Sequence, residues 1–197
     1  MFDLTSLIVT LGYFGVAVII FAESGLFFGF FLPGDSLLFT AGFLASQGYI
    51  NLWLLIPFVV VSAILGDSFG YWFGTYVGPK VFKKSNSFWF SGERAKDAER
   101  FFERHGAKSL ILARFIPAVR TFTPIVAGVG RMDYKTFLTY NVLGGVLWGV
   151  SVPLLGYYLG STIPGVDRYL LPIIGAILVI SVLPVLFEWL KRRNTPG

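Results

Sequence analysis

The sequence contains no cysteine and a single histidine, His105. The absence of cysteine excludes disulfide bonds, thiolate nucleophiles and cysteine zinc sites, and one histidine excludes metal and haem sites built from several histidines. Charged side chains are also scarce, at 14% of residues, whereas soluble domains carry roughly 25%. Because 55% of the residues are hydrophobic, the chain cannot cover itself with a polar surface, and a soluble single domain is excluded.

Four stretches are long and apolar enough to span a membrane as helices, which takes about 20 residues. They cover residues 4–22, 52–78, 136–162 and 169–190, with one acidic residue, Asp67, inside the second. We therefore predict an all-α integral membrane protein that forms a single membrane domain over residues 1–197.

Two further apolar stretches, residues 24–47 and 107–130, are interrupted by residues that break helices. The breaks are Pro33 and Gly34 in the first stretch, and Pro117 and Pro124 in the second. Broken backbone is tolerated at membrane depth only inside protein or beside a watery cavity. Each stretch is therefore predicted to form a re-entrant hairpin.

The residues beside these breaks also predict where helices start again. Thr123 and Pro124 have the residue types of an N-cap and a first helical position, and they predict the start of the second half of the later hairpin. Asp35 follows Pro33 and Gly34 and is predicted to cap a helix in a similar way.

The polar segment between the two halves of the chain has helical periodicity. Residues 93–105 place alanine and phenylalanine on one face and charged side chains around the rest, and Gly106 follows as a typical helix stop. This pattern predicts an amphipathic helix on the cytoplasmic membrane surface, with its charges in solvent. His105 lies at its end and is given no chemical role.

The two halves also show a weak internal repeat. A shift of 86 residues places Ala41-Gly42 on Ala127-Gly128 and residues 70–74 on residues 156–160. Each unit then contains one hairpin and one span, and the single crossing between equivalent points makes the units inverted. The hairpins would enter from opposite faces and face each other, as in many transporters. Chance similarity between glycine-rich helices is the alternative.

The basic residues are distributed unevenly about the predicted spans. With four crossings, residues 191–193, the eight basic residues in 80–108, Arg131 and Lys135 fall on one side, and only Arg168 falls on the other. The positive-inside rule makes the richer side, with both termini, cytoplasmic. The net charge of +5 thus indicates membrane orientation, and no nucleic-acid partner is predicted.

Five ionisable residues lie in or beside the apolar segments: Glu23, Asp35, Asp67, Arg114 and Arg120. A charge at the bilayer centre costs about 2.5–3.5 kcal/mol on insertion scales, so these side chains must find partners, water or a ligand. If the hairpins meet, two acids face two arginines, either as a permanent salt-bridge cluster or as a ligand site. For Asp67, a packing contact and direct participation both remain open.

These residues belong to motifs that resemble one family of membrane proteins. The motifs are Phe31-Leu32-Pro33-Gly34-Asp35-Ser36, Gly66-Asp67 with Gly70-Tyr71 and Gly74, Arg114-Phe115-Ile116-Pro117, Arg120-Thr121-Phe122-Thr123-Pro124, Ala127-Gly128, Met132, Phe137, Asn141 and Trp148. They resemble the DedA family of bacterial inner-membrane proteins, which shares its core, the VTT domain, with eukaryotic lipid scramblases.

The resemblance implies a lipid transporter with two facing re-entrant hairpins in the bacterial inner membrane. It places the acidic pair of the family at Glu23 and Asp35 and its arginine pair at Arg114 and Arg120. Asp67 and Asn141 are expected to be secondary polar residues. The expected cargo is undecaprenyl phosphate or a phospholipid. Arginine suits phosphate because its planar fork forms two charge-assisted hydrogen bonds.

The function hypothesis is therefore a transporter that moves a phosphate-bearing lipid between leaflets, with Glu23 and Asp35 exchanging protons. A passive phospholipid scramblase, a non-catalytic assembly factor and an ion channel are the alternatives. A hydrolase is disfavoured because the sequence has no Gly-x-Ser-x-Gly elbow and its one histidine lies in the surface segment. No enzymatic activity, cofactor or metal is expected, and a homo-oligomer remains open.

Overall fold

The computed structural model describes residues 4–26, 34–84, 104 and 106–162. The predicted fourth span, residues 169–190, and the predicted surface helix apart from Arg104 lie outside this part, as do Pro33 and His105. Within the described ranges every regular element is an α-helix, which agrees with the predicted all-α membrane fold. The number of crossings and the re-entrant nature of the hairpins stay predictions.

Six helices make up the described part of the chain, and we number them in chain order. They are α1 (Leu4–Gly25), α2 (Gly34–Ser46), α3 (Leu52–Lys84), α4 (Ser109–Ala113), α5 (Pro117–Val129) and α6 (Tyr134–Thr162). Three of the predicted spans fall inside α1, α3 and α6. The stretch 24–47 contains α2, and the stretch 107–130 contains α4 and α5.

The two long helices have the length and composition of membrane spans. The stretches Leu52–Val77 in α3 and Tyr134–Thr162 in α6 have mean hydropathies of 2.0 and 1.6. Both expose large apolar side chains, among them Trp53, Leu65 and Leu155, which are each more than half exposed. Apolar surface of this extent is typical of a face that contacts lipid.

The stretch 107–130 breaks immediately before Pro117. Ile116 has an extended backbone (φ −112°, ψ 104°), and Pro117 occupies the start of α5. A residue before proline is driven out of the helical region, whereas proline fits the first helical position because the missing N–H has no helical partner there. The short helix α4 therefore ends before this break, and its C-cap is Arg114.

The helix start predicted at Thr123-Pro124 is wrong. Pro124 lies inside α5, about two turns from its beginning, because Pro117 already provides the start. The Thr123 hydroxyl donates a hydrogen bond to the carbonyl oxygen of Val119 at 2.7 Å, four residues back. Thr123 therefore bonds within the helix, and α5 continues through its second proline.

Asp133 begins α6 as an N-cap. Its carboxylate accepts a hydrogen bond from the backbone N–H of Thr136 at 2.9 Å and another from the Thr136 hydroxyl at 3.1 Å. The backbone hydrogen bond from Thr136 is the main reason that the pKa of Asp133 is lowered. The cap satisfies an N–H group that has no partner within the helix.

Helices α3 and α6 pack antiparallel through small residues. A Cβ atom at Gly145 would lie 2.9 Å from Ile64, and one at Gly149 would lie 2.9 Å from Val60. Residue numbers fall along α3 as they rise along α6, so the start of one helix lies near the end of the other. Small residues of this kind allow close approach where membrane lipid offers no hydrophobic driving force between helices.

Helices α2 and α5 pack across the long helices α6 and α3 through glycines that leave no room for a side chain. An added Cβ atom would lie only 2.0–2.1 Å from a backbone carbonyl oxygen in four pairs: Gly42 with Pro153, Gly156 with Phe39, Gly128 with Tyr71, and Gly74 with Ile125. Helix α2 therefore packs on α6, and α5 packs on α3. Each short helix lies against the long helix of the other half of the chain.

These four pairs are related by constant offsets. Gly128 and Ile125 on α5 follow Gly42 and Phe39 on α2 by 86 residues, which is the shift found in the sequence. On the long helices the offset is 82 residues, since Gly156 follows Gly74 by that number. The sequence alignment of residues 70–74 with residues 156–160 is therefore about one helical turn out of register.

Candidate functional site

Glu23 and Asp35 approach each other where α1 ends and α2 begins. Glu23 lies in the last turn of α1 and is 4% exposed. Its carboxylate lies against Gly34, the first residue of α2, at the position that a Cβ atom would occupy. Asp35, in the first turn of α2, follows directly. A glycine at position 34 is thus required for the two acids to lie side by side.

Both of these acids bind the same arginine. Arg120, near the start of α5, donates from Nη2 to Glu23 Oε1 and from Nη1 to Asp35 Oδ1, the latter at 2.7 Å. The arginine is 2% exposed. The structure therefore brings the predicted acidic pair to Arg120, which connects the stretch 24–47 with the stretch 107–130.

Arg114 has a different set of partners. Its Nη1 donates to Asp67 Oδ2 at 2.6 Å and to Asn141 Oδ1 at 2.8 Å. The Asn141 amide donates in turn to the carbonyl oxygen of Ile64 at 3.1 Å, which fixes its orientation. Asp67 thus forms an ion pair with Arg114, an arrangement that fits both roles left open for it in the sequence.

The chain makes space for Arg114 on α6. A Cβ atom at Gly144 would lie 3.4 Å from Arg114 Cδ, and one at Gly145 would lie 3.7 Å from Arg114 Cζ. The guanidinium therefore lies across two consecutive glycines. Because Asp67 belongs to α3 and Asn141 to α6, this arginine joins three helices.

Trp148 lies between the two arginines and is 1% exposed. Its ring centre is 4.5 Å from Arg120 Cζ and 5.9 Å from Arg114 Cζ. The indole Nε1–H donates to Asp35 Oδ1 at 2.9 Å. Sequence reasoning gave Trp148 no role beyond the family resemblance. A usable indication was its position two helical turns after Asn141, which places both residues on one face of α6.

The cluster carries more negative charges than positive charges. Its three carboxylates, Glu23, Asp35 and Asp67, face two guanidiniums, so the fully ionised cluster has a net charge of −1. Several of its atoms are also incompletely bonded. Among the described residues, the buried polar atoms without a hydrogen-bond partner are Glu23 Oε2, Asp67 Oδ1, Arg114 Nε and Nη2, Arg120 Nε and Thr121 Oγ1.

Unpartnered buried polar atoms are expensive, at about 1–3 kcal/mol each and more when charged. Their concentration around five ionisable side chains is therefore unusual for a contact that only holds helices together. A purely structural contact at this place could be apolar at lower cost. The arrangement leaves hydrogen-bonding capacity that a polar ligand or a proton can use.

A small cavity adjoins both arginines of this cluster. It offers water molecules about 10 Å³, close to the space of one water. Its walls are Asp67, Leu110, Arg114, Arg120, Thr123, Pro124, Phe137 and Asn141. Thr123 is half-buried, whereas the other lining residues are buried. Within the described part of the chain, no group of three or more acidic or histidine side chains could hold a metal ion.

Comparison with known proteins identifies the family. A family model described as the VTT domain matches residues 32–158. An uncharacterized membrane protein of Mycobacterium leprae (strain TN) is 48% identical over 190 residues, which cover 93% of this chain and 85% of the relative. No solved structure matches the chain.

Two relatives from Escherichia coli (strain K12) carry more specific names. Protein DedA is 42% identical over 179 residues, which cover 90% of this chain and 81% of the relative. Inner membrane protein YghB is 35% identical over 198 residues, which cover 94% of this chain and 88% of the relative. The residues matched by the family model include Asp35, Arg114 and Arg120. This chain is therefore a membrane protein of the DedA family, built on the VTT domain.

Proposed function

We propose that the chain moves a phosphate-bearing lipid, undecaprenyl phosphate or a phospholipid, between the leaflets of the bacterial inner membrane. In this proposal both termini face the cytoplasm and the two interrupted stretches enter the membrane from opposite faces. The activity makes and breaks no covalent bond, and it uses Arg114 and Arg120 as the groups that attract the phosphate.

The observation that supports this proposal most strongly is the buried charge cluster itself. Arg114 and Arg120 are 3% and 2% exposed, yet both lie between helices whose outer faces are apolar. Ionisable residues at membrane depth are costly and typically mark substrate or proton pathways. Guanidinium groups in such a setting favour an oxyanion, because each presents hydrogen-bond donors in a fixed fork.

The acidic residues of the cluster could link lipid movement to the movement of protons. A lipid phosphate monoester carries about −1.5 to −2 charge at neutral pH, which adds to the excess of acid already present in the cluster. Negative charge brought next to buried carboxylates favours their protonated form, so a phosphate held at the cluster promotes the uptake of a proton. Glu23 and Asp35 are the proposed proton carriers, because both depend on Arg120 for their positive partner.

The experiment is a leaflet-exchange assay in proteoliposomes with a fluorescent lipid phosphate, in which a membrane-impermeant quencher reports the outer leaflet. We expect the purified chain to speed exchange well above protein-free liposomes. Arg120→Ala should abolish this increase, and Arg131→Ala, outside the cluster and exposed, should retain it. Equal exchange by the wild type and Arg120→Ala would contradict the proposal.

A further inference from the structure

The two arginines of the cluster use their nitrogen atoms differently. Arg120 engages both terminal nitrogens, Nη1 with Asp35 and Nη2 with Glu23. Arg114 engages only Nη1, which serves Asp67 and both oxygen atoms of Asn141. Its Nε and Nη2 atoms are buried and have no partner.

The unpartnered atoms of Arg114 form a complete binding edge. Nε–H and the nearer Nη2–H point in the same direction from a guanidinium plane, and together they match two oxygens of a phosphate or carboxylate. Arg120 offers no such pair, because Nε is its one nitrogen without a partner. A ligand with two oxygens can therefore be received by Arg114 without displacing Asp67 or Asn141.

The small cavity adjoins both arginines. Arg114 and Arg120 line it together with Asp67 and Asn141, whereas Glu23 and Asp35 do not belong to its walls. What distinguishes the two arginines is that only Arg114 has both atoms of the Nε–Nη2 edge without a partner. Thr123 is the one lining residue of this cavity that is partly exposed. The cavity has room for about one water, so the helices must separate there before a phosphate can reach Arg114. Its apolar walls at Leu110 and Phe137 would then face the carbon atoms next to a lipid phosphate.

We propose that Arg114 alone receives the phosphate, through its Nε–Nη2 edge, and that Asp67 and Asn141 are positioning residues that hold Arg114 by Nη1 in the receiving orientation. Arg120 then serves as the counter-charge of Glu23 and Asp35 and does not bind the ligand directly. This inference rests on the proposed function and divides between two residues a role that the sequence assigns to both.

The test is equilibrium binding of farnesyl phosphate, a short lipid phosphate monoester, to the purified full chain in detergent. Loss of a charge-assisted hydrogen bond from a buried site corresponds to a change of about tenfold or more in affinity. Arg114→Lys keeps the charge and loses the fork, so we expect affinity to fall at least tenfold. Arg120→Lys should change affinity by less than about threefold, and Arg131→Lys serves as a matched arginine control.

Two competitors identify the source of the phosphate group. Excess farnesol, which has the tail without the phosphate, should not displace the probe, and displacement by farnesol would contradict a phosphate site. Inorganic phosphate should compete only at much higher concentration than farnesyl phosphate. Competition by inorganic phosphate at equal concentration would overturn the assignment to a lipid headgroup in favour of a free ion.

Asp67 variants test positioning in protein that remains folded, as judged by a single gel-filtration peak. In the leaflet-exchange assay, Asp67→Asn should raise the lipid concentration for half-maximal rate about tenfold with little change in the maximal rate, and Asp67→Glu should partly restore it. A purely structural role would instead lower the maximal rate and the folded yield together. That result, or equal loss of binding in Arg114→Lys and Arg120→Lys, would overturn the inference.

The inference and the proposed function can fail separately. Selective loss of binding in Arg114→Lys, without leaflet exchange by the wild type, would support the phosphate site and contradict transport. Leaflet exchange by the wild type, with normal binding in Arg114→Lys, would contradict the assignment of Arg114 and leave transport in place.

Discussion

The guanidinium of Arg120 lies over the indole ring of Trp148, with its Cζ atom 4.5 Å from the ring centre. Both side chains also donate a hydrogen bond to the same atom, Asp35 Oδ1. The contact therefore closes a triangle between α5, α6 and α2. Because α2 and α5 belong to different halves of the chain, Trp148 helps to join the two halves at the charge cluster.

Substitutions at Trp148 separate its hydrogen bond to Asp35 from its ring contact with Arg120. Trp148→Phe keeps a ring over Arg120 but removes the hydrogen bond to Asp35, and a bond to a charged group is worth about 1.5–3 kcal/mol. We expect a lower thermal midpoint and slower leaflet exchange, with a larger loss in Trp148→Leu, which also removes the aromatic face. Trp53→Phe is the matched control, because Trp53 is 76% exposed. A thermal midpoint of Trp148→Phe equal to wild type would contradict this account of the triangle.

The equivalent glycine contacts of α2 and α5 predict that alanine substitutions in the two helices lower thermal stability alike. Gly42→Ala and Gly128→Ala each place a methyl group on a backbone carbonyl that cannot rotate away. Overpacking of this kind costs about 1–3 kcal/mol or more, so both variants should lose thermal stability to a similar extent. Gly12→Ala is the control, because no atom lies within 4 Å of its added Cβ. A neutral effect of Gly128→Ala beside a damaging Gly42→Ala would speak against equivalent packing in the two halves.

The cap of α6 predicts a pH-dependent effect on stability. In the folded protein, the Thr136 hydrogen bonds hold the pKa of Asp133 below its ordinary value. In the unfolded chain, the pKa of an aspartate is about 3.9. The stabilisation is therefore present above the unfolded pKa and is lost as the pH falls through the folded value. Asp133→Ala should lower the thermal midpoint at pH 7 and approach wild type at low pH. A difference in thermal midpoint between wild type and Asp133→Ala that stays constant with pH would contradict a charged cap.

The predicted orientation can be tested with single cysteines, because the chain has none of its own. Tyr49, after α2, and Lys135, at the start of α6, are both exposed. We expect Tyr49→Cys to react with an impermeant maleimide in intact cells and Lys135→Cys to react only after permeabilisation. Labelling of Lys135→Cys from outside intact cells would reverse the predicted topology.

Much of the described helical architecture could be predicted from hydropathy and proline position. The apolar runs predict α1, α3 and α6, because a span must be long and apolar, and Pro117 predicts a break between α4 and α5. The cost of isolated charges in a membrane indicates that Glu23 and Asp35 need positive partners, but it does not predict that both would bind Arg120.

The partners of Arg114 could not be predicted from hydropathy or from the cost of isolated charges. Asp67 and Asn141 reach it because α3 and α6 present them on facing sides, and that rotation is set by the glycine contacts between the helices. Hydropathy carries no information about such rotation. The sequence pattern also could not predict that Pro124 lies inside α5, because either Pro117 or Pro124 could have begun the helix.

The central claim is that lipid phosphate movement is linked to protons through Glu23 and Asp35. We would measure the final leaflet distribution of a fluorescent lipid phosphate in proteoliposomes buffered at about pH 7.5 on one side and 8.5 on the other. Both values lie above the second pKa of a phosphate monoester, about 6, so the probe itself changes charge little. Protein-free liposomes and the variants Glu23→Gln and Asp35→Asn are the controls.

If protons and lipid move together, the wild type should concentrate the probe in the leaflet on the more alkaline side. The distribution should reverse when the gradient is reversed, and the Glu23→Gln and Asp35→Asn variants should show no such shift. Identical wild-type distributions under both gradient directions would contradict coupling and leave passive scrambling as the activity.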